Sequence, residues 1–128
     1  MSTKKEIVTS EAPAPVVAYS QGLIVQDKFV YTSGQIAIDP STGKLINGSL
    51  QDRVNLILQN ISTILKKGGS DLTKVFKVNI FLVNPVDFAP MNQVYETFFS
   101  KPFPARTCVF VKALPLGTDV EIECSAEI

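Results

Sequence analysis

The sequence predicts a two-layer α+β domain in which a mixed β-sheet carries two helices on one face. Three observations lead there. Residues 49–69 carry a helical apolar period, and residues 73–83 alternate as a strand. A second helical segment then separates that alternation from two further strand-like stretches. Strand–helix–strand crossovers are right-handed, so both helices are expected on the same side of one sheet.

Taken in order, residues 11–22 are expected to be irregular, because Pro13 and Pro15 block helix and push their neighbours extended. Residues 28–38 read as a strand interrupted near Gly34. Asp39-Pro40-Ser41-Thr42-Gly43 is a turn cluster, from which a short strand at 44–46 pairs back. Ser49 suits a helix N-cap, with Asp52 three residues later in a box-like position. Leu50, Val54, Ile57, Leu58, Ile61, Ile64 and Leu65 then form one apolar face. Lys66 and Lys67 meet the negative end of the dipole, and Gly68-Gly69 supplies a left-handed cap.

In the 73–83 strand, Phe76, Val78, Ile80 and Leu82 make a wholly apolar face, and Val75, Lys77, Asn79, Phe81 and Val83 a mixed one. The second helix opens near Asp87 and tolerates Pro90 in its first turn. Phe88, Met91, Tyr95 and Phe98 are expected on its inner face, and it stops before Pro102. Strands at 105–113 and 119–127 are expected to form a hairpin. If Ala113 pairs with Asp119, Cys108 lies opposite Cys124, and Arg106 and Glu121 fall on opposite faces.

Composition narrows the function. A length of 128 residues fits one domain spanning 1–128. Charged residues are only 19%, against about 25% in ordinary soluble domains. Two helices leave a sheet face with Phe81, Val83, Val109 and Val111 uncovered, and an apolar face of that size does not stay in water. Both facts point to a neighbouring subunit on that face.

Twelve basic residues balance twelve acidic ones without a basic stripe, so no nucleic-acid partner is expected. The chain has no histidine, which removes Ser-His-Asp and Cys-His catalysis and every His-containing metal site. Two cysteines without a C-x-x-C give no zinc site and fit a reducing compartment. No G-x-G-x-x-G occurs, and Gly43-Lys44 lacks the upstream glycine of a phosphate loop. No apolar run approaches the roughly 18–20 residues of a membrane span. The N-terminus lacks a signal-peptide pattern, so the expected location is cytoplasmic with no membrane partner.

Arg106 stands at the mouth of an apolar strand and is one of only two arginines, with Arg53. Its fork suits bidentate capture of a carboxylate, although a surface or inter-subunit ion pair is the commoner use. Glu121 and Glu123 share one face of the last strand, either as a solvated face or as a carboxylate with raised pKa acting on water. Thr32-Ser33-Gly34-Gln35 reads as a ligand-facing bend or as a simple bulge. Tyr19 either lids a pocket or packs, Asn92 is an amide on the second helix, and Cys108 has no histidine to activate it.

Several segments occur together and in order: Tyr19-Ser20-Gln21-Gly22, Thr32-Ser33-Gly34-Gln35-Ile36, Asn92-x-x-Tyr95-x-x-Phe98-Phe99 and Pro104-Ala105-Arg106-Thr107-Cys108-Val109. With Leu114-Pro115 and Val120-Glu121-Ile122-Glu123 they make the chain resemble the RidA/YjgF family of reactive-intermediate deaminases, from about residue 6 to the C-terminus. The resemblance implies a chorismate-mutase-like fold and a homotrimer with sheets packed inward and active sites between subunits. It implies hydrolysis of 2-imino acids (2-iminopropanoate, 2-iminobutanoate) to 2-keto acids and ammonia, with no cofactor and no metal. Ribonuclease or translation-inhibitor activity is also reported in the family, and a trimer that only binds small carboxylates, or acts as a chaperone, is a third reading.

By the same resemblance, Arg106 holds the substrate carboxylate and Glu121 orients or deprotonates the attacking water. Tyr19, Ser33, Gly34, Asn92 and Cys108 line the cleft, with backbone groups near Ser33 and Cys108 orienting the imine. Thr107 departs from the family pattern, where a smaller residue is commoner.

Overall fold

A computed structural model describes residues 3–128 of the chain. Its elements run β1 (Lys4–Ile7), β2 (Gly22–Val25), β3 (Phe29–Thr32), β4 (Ile38–Asp39), β5 (Lys44–Leu45), α1 (Leu50–Lys67), β6 (Val75–Leu82), α2 (Phe88–Phe98), β7 (Ala105–Phe110) and β8 (Val120–Glu127). A six-stranded sheet has the order β1-β2-β3-β8-β6-β7, and β4 and β5 form a separate small ribbon. Only β6 and β7 are parallel, so the sheet is mixed. α1 packs on β3 and β8 and also against α2, which gives the expected helical layer.

The first helix forms for the reasons its sequence gives. The Ser49 hydroxyl accepts from the Asp52 N–H at 3.1 Å, and the Asp52 carboxylate accepts from the Ser49 N–H at 3.1 Å. Two of the orphan donors at the helix start are thereby satisfied. Val54, Ile57, Leu58, Ile61, Ile64 and Leu65 are completely buried, each contributing about 1.5–3 kcal/mol by leaving water. The left-handed residue after the helix is Gly69 (φ +90°), while Gly68 stays right-handed.

Four expectations need correction. β1 and β2 were not foreseen, and they add an antiparallel pair at one edge of the sheet. β7 and β8 do not form a hairpin, because β6 lies between them and pairs with both. The crossover through α2 lays β7 parallel to β6 on one side, and the return through 111–119 carries β8 to the other. Cys108 therefore faces Ile80 and Cys124 faces Val78, so both cysteines are free. Finally, a bulge between Val75 and Lys77 turns Phe76 outward and gives its core position to Val75.

Phe88, expected inside, is 41% exposed, whereas Met91 and Tyr95 are buried as expected. The register settles the two faces of the sheet. Val78, Ile80 and Leu82 point to the helical layer, and Arg106, Cys108 and Phe110 are paired with them. Phe81 lies between Val109 and Glu121 on the other face. Neither α1 nor α2 lies on that face.

Candidate active site

Arg106 and Glu121 lie on opposite faces of the sheet with β6 between them. The opposition expected from a hairpin thus holds although the hairpin itself is absent. Strand alternation requires it once Arg106 pairs with Val78 and Glu121 with Phe81. The candidate residues consequently divide into two groups.

The Arg106 group sits on the helical face, beside the exposed edge of β7. Nη1 of Arg106 donates to Oδ1 of Asn92 at 2.7 Å. The guanidinium carbon lies 4.8 Å from the Tyr95 ring centre and 5.8 Å from that of Phe88, within cation–π range of both. Asn92 and Tyr95 are one helical turn apart, so both reach the same guanidinium. Tyr95 in turn stacks on Phe99 at 4.6 Å. A cleft of about 330 Å³ opens here, lined by Asn92, Tyr95, Glu96, Phe103, Pro104 and Arg106. A fixed cation with its fork facing that opening suits a small carboxylate.

Glu121 sits on the open face, where a second bulge aims it. Tyr31 pairs with Ser125 and Gln35 pairs with Ile122, so four steps on one strand oppose three on the other. The extra residue falls in the stretch containing Ser33 and Gly34, and the backbone there approaches the neighbouring strand. A β-carbon on Gly34 would lie 2.5 Å from Oε1 of Glu121, so a side chain there would displace the carboxylate from this position. Burial, and next the neighbouring Glu123, push the Glu121 carboxyl above the usual range, as a group that takes up and returns a proton requires. The surrounding pocket, about 460 Å³, is mostly apolar; besides Glu121, Tyr19, Ser33 and Gly34 it contains Val17, Ile36 and Leu116.

Other expected residues fare differently. The Ser33 hydroxyl donates to the Ser20 carbonyl at 2.5 Å and its N–H to Gln21 at 3.0 Å, so both donors tie the segment bearing Tyr19 in place. Both are thereby committed within the chain. Cys108 is not among the residues lining either cleft of the single chain, and burial pushes its thiol upward despite nearby Arg106. Tyr95 and Phe88 as supports for Arg106 escaped the sequence reading. Their helical spacing signals an apolar face and nothing more. Among the described residues no cluster of acidic or cysteine side chains is arranged to hold a metal ion.

Comparisons with known proteins agree with this architecture. A family model described as endoribonuclease L-PSP matches residues 9–128. The rat 2-iminobutanoate/2-iminopropanoate deaminase is 43% identical over 123 residues, covering 96% of this chain and 89% of the rat protein. The crystal structure of RidA from an Antarctic Psychrobacter superposes with a TM-score of 0.92 at 40% identity, covering 97% of this chain and 99% of that one. Escherichia coli TdcF with bound serine superposes with a TM-score of 0.90 at 34% identity, covering 97% and 98%.

Proposed function

Because the chain belongs to the endoribonuclease L-PSP family, which includes the RidA and YjgF proteins, we propose that it hydrolyses 2-iminobutanoate and 2-iminopropanoate to 2-keto acids and ammonia. One observation carries the reading: a cation prepared for a carboxylate and a proton-accepting carboxylate occur as two incomplete half-sites on opposite faces. Neither half suffices alone. The site is completed when Arg106 of one subunit meets Glu121 of the next in a homotrimer whose open sheet faces pack inward.

The chemistry follows from these two groups. Arg106 binds the substrate carboxylate through its fork and sets the position of C2. Glu121 accepts a proton from water as the water oxygen bonds to C2 of the imine. It returns that proton to the nitrogen of the tetrahedral intermediate, then carries the hydroxyl proton to the same nitrogen as the C–N bond breaks, so that ammonia leaves and the hydroxyl oxygen becomes the carbonyl of the keto acid. An imine is already electrophilic, so positioning and one proton shuttle supply the acceleration without a covalent nucleophile, cofactor or metal. The chain acts as one domain, in the cytoplasm and without nucleic acid; among the described residues no helix is long and apolar enough to cross a membrane.

The test generates the imino acid with a serine or threonine dehydratase and traps it with semicarbazide. Added protein should divert flux to the keto acid; unchanged semicarbazone formation would reject the assignment. The family's description favours a second reading, RNA cleavage. Zero net charge and the lack of histidine weigh against it. A steep salt dependence of RNA binding, with activity surviving Arg106→Ala, would favour that alternative.

A further inference from the structure

Arg53 is the only arginine besides Arg106, and the proposed reaction leaves it without a task. It is the fourth residue of α1, at the helix end where the macrodipole disfavours a cation. Its contacts account for that placement. Nε and Nη2 donate to the two carboxylate oxygens of Asp119, each at 2.8 Å, and Nη1 donates to the Gly48 carbonyl at 2.9 Å. The two side chains are only 18% and 23% exposed, so this is a bidentate and largely sheltered pair.

Asp119 immediately precedes β8 and lies two residues before Glu121. Ahead of it runs the loop 114–118, in which Leu116 holds a left-handed conformation (φ 56°, ψ 19°) rare for a branched side chain. Such strain persists only where the surroundings fix it. Within the loop, the Gly117 N–H donates to the Leu114 carbonyl and the Thr118 N–H to the Pro115 carbonyl. Pro115 and Leu116 form a wall of the Glu121 pocket, although Leu116 itself is 72% exposed. At the far end of the loop, the Asp119 carbonyl accepts from the Val83 N–H at 3.2 Å, and its side chain is gripped by Arg53.

We propose that the Arg53–Asp119 fork is a positioning pair for the proposed reaction: it anchors the loop 114–118 to α1 and so holds the Leu116 wall and the Glu121 carboxylate in their working places over Gly34. The inference rests on the proposed role of Glu121. It adds a residue that touches no substrate and acts from the opposite layer of the domain.

Arg53→Met keeps the apolar stem and removes the fork. The trapping assay should show kcat reduced on the order of ten- to a hundredfold, the scale of a misplaced reacting group. KM should stay within about threefold, because carboxylate binding at Arg106 is untouched. A second readout does not depend on turnover: the carboxyl titration of Glu121, followed by NMR with labelled glutamate. Its midpoint should fall toward the ordinary glutamate range in Arg53→Met, as water reaches a group no longer walled in. Glu123 and Tyr19, the other titratable groups near that carboxylate, are left intact. Asp119→Asn should move both readouts in the same direction, and it stands in should Arg53→Met fail to fold.

A folded variant with a lower melting temperature but unchanged kcat and unchanged Glu121 midpoint would overturn the proposal and leave the pair a stabilising contact. Should the unmodified protein fail to deaminate, the proposed function falls, and the titration still decides whether Arg53 positions Glu121.

Discussion

Arg106 is fixed before any substrate arrives, by the Asn92 amide on one side and the faces of Tyr95 and Phe88 beneath. Arg106→Ala should therefore lose nearly all deaminase activity in the trapping assay. Arg106→Lys should recover little of it, because an ammonium keeps the charge and lacks the fork. The Tyr95 ring is the useful part of that residue: its hydroxyl is buried and finds no hydrogen-bond partner among the described residues. Tyr95→Phe should keep activity and raise stability by about 1 kcal/mol in denaturant unfolding. Tyr95→Leu should raise KM. On the other face, a raised Glu121 carboxyl places the acid limb of the kcat profile above the ordinary glutamate range. Activity is lost as pH falls through that raised value, because the protonated acid cannot accept a proton from water. Glu123→Gln removes the second cause and should move the limb to lower pH. The sequence displayed Arg106, Glu121 and Gly34 through their setting. It could not display Tyr95 as a platform, since helical spacing looks the same whether a ring supports a cation or fills a core.

Elements differ in how much of their information is local. α1 carries its own start, apolar stripe and stop, and every part of it was legible. Ser49→Ala should cost about 1 kcal/mol of stability through the lost cap, a change a thermal melt can read. β6, β7 and β8 were legible as strands because alternation is local, whereas their order was not. Pairing depends on where the α2 crossover returns the chain, and nothing within 105–127 specifies that β6 enters between the last two strands. The bulges had the same limit. Gly34 marked an interruption, but which carboxylate would fill the space followed only from the register with β8. β1, with three polar residues among its four, offered no alternation to read.

At the scale of the whole molecule, Val109 is 41% exposed on the uncovered face, beside Phe81, which separates it from Glu121. Its own strand, β7, is an edge of the sheet and presents unpaired backbone groups. In the proposed homotrimer both are covered, each buried Val or Phe contributing about 1.5–3 kcal/mol against the entropy of association. Val109→Asp should dissociate or unfold the protein and abolish activity with it, as read by sedimentation at micromolar concentration. The central claim is that each site draws Arg106 and Glu121 from different chains, and subunit mixing tests it most directly. Arg106→Ala and Glu121→Gln proteins should each be inactive. Co-refolded in equal amounts, they form trimers in which some interfaces pair an intact Arg106 with an intact Glu121. Random assembly around a three-fold axis should restore about a quarter of full activity. A mixed preparation, shown by mass to contain hybrid trimers yet as inactive as either parent, would contradict the shared site.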